Sequence, residues 1–217
     1  MNIKERIAKL RPKARSTRPV QQAKRKKPKP EAAPRQRRTK PAEKLWADQY
    51  MEERGFDREF AEQNGAEIER DRIVFIKFHP LTGLRVEGSR TRLREPITIK
   101  GKPAKFIQRK DTNSSPYFAR CLNWKSIFAD PSCPIVISEG ETRSLAGAKH
   151  HIPVIGCGGV DGVFMAGTHR QKLHPIFEEM VLKGRTIYIC FDADAESNSN
   201  VRNAENAAAK LFVEAAR

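Results

Sequence analysis

Apolar positions change their rhythm twice along the chain. Up to residue 44 aliphatic side chains are sparse, apart from Ile3, Ile7 and Leu10, which share one helical face. From Pro41 the spacing tightens. Leu45, Trp46, Tyr50 and Met51 predict a short amphipathic helix ending near Gly55, and Phe56 to Asn64 a second, closed by the Asn64-Gly65 pair. A β-rich stretch follows. Ile73-Val74-Phe75-Ile76 reads as a strand, His79-Pro80-Leu81-Thr82-Gly83 as a turn, and Leu84 to Leu93 as the return strand, with a bulge signalled by Gly88. Ile97 to Ile99 and Lys105 to Gln108 flank a second turn at Lys100-Gly101-Lys102-Pro103.

After Pro134 the pattern becomes an alternation of strands and helices. Ile135-Val136-Ile137 is a short apolar strand and Thr142 to His150 a helix. Val154-Ile155 runs into Gly156-Cys157-Gly158-Gly159. His169 to Lys183, with Leu173, Ile176, Phe177 and Met180 on one side, predicts a helix. Thr186 to Phe191 is apolar throughout, the pattern of a parallel strand buried on both faces, and Asn203 to Ala216 is an Ala-rich helix. This order predicts a parallel sheet with right-handed crossovers. The fold class expected is α+β: a basic arm over 1–44, a helical lead-in with a β-rich module over 45–132, and an α/β unit over 133–217.

Charge sharpens that division. Residues 1–44 hold 17 Lys or Arg against 3 Asp or Glu, a net +14, which leaves +2 of the total +16 for the rest of the chain. A segment so rich in Lys, Arg, Pro and Gln cannot bury enough apolar surface to offset its ordering entropy, so the arm is expected to be disordered. Six prolines from Pro12 to Pro41 count against an amphipathic transit helix. No run of about 18 apolar residues predicts a membrane span, and the start lacks the apolar core of a secretory signal. Cys121, Cys133, Cys157 and Cys190 show no CxxC pairing, which argues for reduced structural thiols in a cytoplasmic protein rather than a zinc ribbon.

The candidate chemistry lies where the predicted parallel strands end, since ligands of open parallel sheets sit at the carboxyl ends of the strands. The first strand runs into Ser138-Glu139-Gly140-Glu141, the second into the glycine cluster and Asp161, the third into Asp192-Ala193-Asp194. If the strands are neighbours, Glu139, Asp192 and Asp194 converge. Clustered carboxylates repel unless a cation offsets them, and a histidine-free oxygen set favours Mg²⁺ or Mn²⁺, an ion suited to phosphoryl transfer. Gly158 and Gly159 would let backbone N–H groups approach a phosphate. Each element also has an ordinary reading, as a turn or a tight connection; their order within one compact unit is what gives them weight. For nucleic acid, Lys24, Arg25, Lys26 and Lys27 in the arm offer salt-dependent, sequence-independent attraction. Arg90, Arg92 and Arg94 fall on one face of a strand, and Lys105, Arg109 and Lys110 extend that basic set.

Ile135-Val136-Ile137-Ser138-Glu139-Gly140-Glu141, followed by a helix, a glycine-rich turn and Phe191-Asp192-Ala193-Asp194, resembles the TOPRIM domain of bacterial primases, topoisomerases, OLD-family nucleases and RecR-like repair proteins. More narrowly, it resembles the TOPRIM-like domain of phage and plasmid replication proteins, across roughly residues 55–215. The resemblance implies a Rossmann-like parallel sheet. It implies Glu139 as a metal-binding acid or general acid/base, and Asp192 and Asp194 as the metal pair. Glu141 has no role in the general TOPRIM pattern; it and Asp161, in the glycine loop, are candidates for supporting positions around that set. Primase-like nucleotidyl transfer is the activity implied, with nucleotides and single-stranded or primer-template DNA as substrates, a replicative helicase as a partner, and the cytoplasm of a bacterial or phage-infected cell as the setting. A metal-dependent nuclease, or a non-catalytic DNA-binding replication factor with a decayed TOPRIM unit, are the alternatives. Two departures accompany the resemblance. The last TOPRIM strand is expected to be missing after the final helix, and the chain carries neither a zinc-ribbon cysteine set nor a Gly-x4-Gly-Lys-Ser/Thr loop.

Overall fold

The computed structural model describes residues 44–110, 112, 114–192 and 198–217. Residues 1–43 of the basic arm, including Lys24, Arg25, Lys26 and Lys27, and the acid Asp194 lie outside the described residues. Ala42–Arg217 forms one compact unit of α+β architecture, with an antiparallel and a parallel sheet.

Two short helices lead in: α1 (Trp46–Glu52) and α2 (Arg58–Gln63). The carboxylate of Asp57 accepts a hydrogen bond from the Phe60 N–H at 2.7 Å and so fixes the start of α2. The expected close at Asn64-Gly65 is present, with Asn64 as C-cap and Gly65 at φ +97°. The antiparallel sheet is a meander of β1 (Ala66–Ile68), β2 (Arg72–Phe78), β3 (Arg85–Ile99) and β4 (Lys102–Gln108) in that spatial order. The register slips where Ile76 alone faces residues 87–89, and Gly88 there takes φ +89°, the bulge expected of it. The two separate strands expected over 84–93 and 97–99 are one: β3 continues through Pro96, with a second register shift between Arg92 and Ile97 that absorbs the proline.

The helix α3 (Trp124–Ala129) leads to the parallel sheet, formed by β5 (Ile135–Glu139), β6 (Val154–Cys157) and β7 (Ile187–Cys190) in the order β6-β5-β7. Between β5 and β6 runs α4 (Glu141–Lys149), and after β7 comes α5 (Ser199–Ala215). Two expectations fail here. The segment His169 to Lys183 is not an α-helix: Pro175 lacks an N–H and holds His174 in extended backbone (ψ 136°). Only a 3-10 turn, Pro175–Glu179, forms. Nor is β7 buried on both faces, because β5 takes the centre and leaves β7 at the edge, with Tyr188 54% exposed.

Two apolar clusters hold the unit. One joins Ile135, Ile137 and Ile155 of the parallel sheet to Phe177 and to Val201, Ala204, Ala208 and Phe212 of α5. The i, i+3, i+7, i+11 spacing of those four puts them on one stripe, and burying Phe212 alone contributes about 1.5–3 kcal/mol. The other joins Met51, Phe56, Ile73, Phe75 and Tyr117 to Leu145 and Ala148 of α4. Helix α4 therefore serves both sheets. Its other side presses Gly147 onto β6, where a Cβ would lie 2.2 Å from Val154 Cγ2.

Candidate active site

Because β5 lies between β6 and β7, the chain leaves β5 toward one neighbour and later returns on the opposite side. The connections diverge above the β5 and β7 carboxyl ends, the switch point at which open α/β sheets bind ligands. Glu139 ends β5, and Asp192 follows β7 by two residues. Both line one cleft of about 500 Å³. Its other wall comes from the antiparallel module and α1: Tyr50, Arg54, Arg90 and Phe106. Arg143 from the first turn of α4 is the third arginine of the lining and the one paired with a carboxylate of the rim, Asp192, whereas Arg54 donates to Tyr50 O and lies 3.5 Å over the Tyr50 ring.

Local constraints shape this rim. Gly140, at φ +90°, turns the chain from β5 into α4, and its N–H donates to Cys157 O at 2.6 Å. Gly156 passes so close that a Cβ there would lie 2.5 Å from Gly140 O. Gly159, at φ +100°, faces the Glu139 carboxylate, 4.0 Å from its Cβ position to Oε1. The Ser138 hydroxyl donates to Cys190 O at 2.8 Å and ties the ends of β5 and β7 together. Asp192 accepts from Arg143 Nη2 at 2.5 Å, an ion pair in which both partners stay about half exposed.

Beneath the cleft lies a group of charges that the sequence reading did not single out as a set. Lys77 of β2 is fully buried, and its Nζ lies 3.7 Å from Glu141 Oε1. Arg90 Nη1 approaches Glu141 Oε2 at 3.5 Å, and the guanidinium rests over the Phe106 ring at 4.4 Å. Lys77 also donates to Ser115 O. Burial pushes its ammonium below the ordinary lysine value; the Glu141 charge opposes that shift and Arg90 adds to it. Among the described residues the two buried Glu141 oxygens and the buried Ser114 hydroxyl have no hydrogen-bond partner. Burial raises the Cys157 thiol to about 12 despite nearby Lys77. It also raises the Tyr117 hydroxyl, with the Glu141 charge acting in the same direction.

The other expected residues divide. Gly158 borders this group: a Cβ there would meet Ser114 Oγ at 2.8 Å and Arg90 Cδ and Lys77 Nζ at 3.6 Å. The space before it is thus taken by side chains of the antiparallel module. Arg92 lies over Tyr50, Phe106 and Trp46 at 5.2–5.7 Å, and Arg94 pairs with Asp71 and Glu95. Asp161 turns to Arg170, 2.7 Å away, and lines a different pocket with Phe164 and Met165. Among the described residues, no three His, Cys, Asp or Glu side chains form a group that could hold a metal ion. Two members of the expected set share the cleft, and their oxygens suit a hard divalent cation.

Residues 123–217 match a family model described as a domain of unknown function, DUF3854. No curated protein and no solved structure matches the chain. The DUF3854 segment contains the whole parallel sheet, Glu139, Glu141, Arg143 and Asp192. Lys77, Arg54 and Arg90 lie before it, so the cleft is completed by residues outside the matched segment.

Proposed function

We propose that this protein is a Mg²⁺-dependent enzyme acting on nucleic acid in phage or plasmid DNA replication, by primase-like nucleotidyl transfer at a TOPRIM-like site. The observation that carries the reading is the cleft at the β5/β7 switch point, which is lined by Glu139 and Asp192 together with Arg54, Arg90 and Arg143. Carboxylates alone would suit many cations. Carboxylates sharing a cleft with three guanidinium groups suit a metal held against phosphate.

Glu139 and Asp192, with Asp194, would hold Mg²⁺ or Mn²⁺, which when bound neutralises charge developing on the transferring phosphoryl group. Arg54 and Arg90 would anchor phosphates from the opposite wall, and Arg143 would exchange Asp192 for a phosphate oxygen. In nucleotidyl transfer the 3′-hydroxyl oxygen of a primer bonds to the α-phosphorus of an incoming nucleotide. Pyrophosphate leaves with the electron pair of the broken P–O bond, and the hydroxyl proton would pass to the Glu139 carboxylate where Asp192 and Asp194 alone hold the metal, or to solvent where Glu139 is itself a ligand.

The test is primer synthesis from labelled nucleotides on single-stranded DNA, with strand cleavage followed in the same reaction. Glu139→Gln and Asp192→Asn are expected to lower synthesis by at least a hundredfold while leaving the fold intact. Metal-dependent cleavage without synthesis would turn the reading to a nuclease. If both variants leave every DNA-dependent activity unchanged, the catalytic reading is wrong and a non-catalytic binding role stands in its place.

A further inference from the structure

Strand β3 is 15 residues long, but only Arg85 to Leu93 pairs with β2. Beyond that it pairs with β4 alone, Ile97 opposite Ala104, Thr98 opposite Pro103 and Ile99 opposite Lys102. Every residue from 94 to 103 is exposed. The six residues from Arg94 to Ile99 carry this two-stranded ribbon about 20 Å past the end of β2. An isolated ribbon is marginally stable in water, so one exposed on both faces suggests an external partner.

The ribbon's chemistry narrows what that partner is. Arg94 is taken up by Asp71 and Glu95, and the ribbon carries Lys100, Lys102 and Lys105 besides, with no further acid between residues 96 and 105. Ile97 and Ile99, 44% and 45% exposed, share one face, with Lys102 beside Ile99. Pro96 and Pro103 each withdraw a backbone donor, which disfavours another strand adding along the ribbon. What remains is a cationic two-stranded arm with an apolar stripe. The major groove of a duplex admits a two-stranded β-ribbon between two rows of phosphates, and thymine methyl groups there accept apolar contacts.

We propose that the β3–β4 ribbon, residues 94–105, is a nucleic-acid-binding arm that grips a duplex through Lys100, Lys102 and Lys105 and lays Ile97 and Ile99 in its groove. The inference rests on the nucleic-acid reading above but not on catalysis.

The test uses the full chain and a fluorescein-labelled DNA duplex, with affinity followed against salt. In Lys100→Ala/Lys102→Ala/Lys105→Ala the affinity is expected to fall and the slope of log K against log[salt] to shrink by about 2–3. The basic arm is identical in both proteins, so the difference reports the ribbon alone. Ile97→Ser/Ile99→Ser is expected to weaken binding with the slope unchanged. Far-UV circular dichroism and the thermal midpoint confirm that each variant folds. An unchanged slope and affinity in the triple variant overturns the proposal. So does a loss confined to vesicles of phosphatidylserine and phosphatidylcholine, which would assign the ribbon to a membrane surface. The Mn²⁺-dependent thermal shift separates the two readings: it is expected to be unchanged in the triple lysine variant, so loss of the ribbon contact and loss of the metal site appear in different measurements.

Discussion

The ammonium of Lys77 lies 3.7 Å from the carboxylate of Glu141, and both side chains are closed off from water. One comes from the antiparallel sheet, the other from the first residue of α4, so the pair ties that sheet to the helix that follows β5. Taking two charges out of water costs several kcal/mol each, and their attraction offsets this only while both are present. Lys77→Met leaves Glu141 with Arg90 alone, and Glu141→Gln leaves Lys77 with the Ser115 carbonyl. Each single variant is expected to lose about 3–5 kcal/mol of stability in urea unfolding. The double variant Lys77→Met/Glu141→Gln removes both buried charges and leaves only the partly exposed Arg90 without its carboxylate, so it should lose clearly less than the sum of the two singles. A double variant that loses the sum of the two singles would show that the charges are uncoupled.

The Cys157 thiol sits at about 12 in the folded protein against an ordinary 9.0. A raised folded value means stability fully present below pH 9 and lost as pH rises toward 12. Tyr117, also raised, acts with the same sign. Lys77, lowered, acts with the opposite sign: its contribution is present above 10.5 and lost as pH falls through its folded value. Cys157→Ala should therefore flatten the alkaline decline of the urea midpoint without removing it. In the native protein at pH 8, a thiol reagent should modify exposed Cys190 quickly and buried Cys157 only on unfolding.

Gly147→Ala tests how tightly α4 is wedged. In a free helix the change gains about 1 kcal/mol. Here the new methyl would meet Val154 Cγ2 at 2.2 Å and the Ile152 carbonyl oxygen at 2.8 Å. Overpacking of this kind costs about 1–3 kcal/mol, so the clash is expected to win and the thermal midpoint to fall. A rise in the midpoint would mean that β6 and α4 have room to separate.

Much of this site could be read from the chain because strand ends are local features. Glu139 and Asp192 follow short apolar runs, and parallel pairing brings those ends to one rim. Lys77 was legible too, though only by parity. Ile73, Phe75 and Lys77 alternate along β2, all three are fully buried, and a lysine at the third inward position signals a buried charge needing a partner. Glu141, that partner, lies 64 positions further on, beyond any local pattern. The span after His169 shows the converse. Its apolar spacing picked out Ile176, Phe177 and Met180, which are buried, but Pro175 decided the backbone. The exposure of β7 depends on strand order, which no single strand encodes.

Arg143 and Asp192 set opposing demands on the cleft. Their ion pair is about half exposed on both sides, and such pairs contribute at most about 1 kcal/mol, so a divalent cation at Asp192 can displace the guanidinium. Removing it should then help the metal and hinder phosphate. Arg143→Ala is expected to raise the apparent Mn²⁺ affinity up to about fivefold, since 1.4 kcal/mol corresponds to tenfold. Thermal shift reads this directly, because a ligand that binds only the folded state raises the midpoint with its concentration. Binding of a labelled nucleoside triphosphate should weaken in the same variant, as one of the three arginines lining the cleft is lost. Asp192→Asn serves as the control and should abolish the metal shift. If metal and nucleotide affinities fall together in Arg143→Ala, the pair is a structural tie, and Asp192 does not hold the metal.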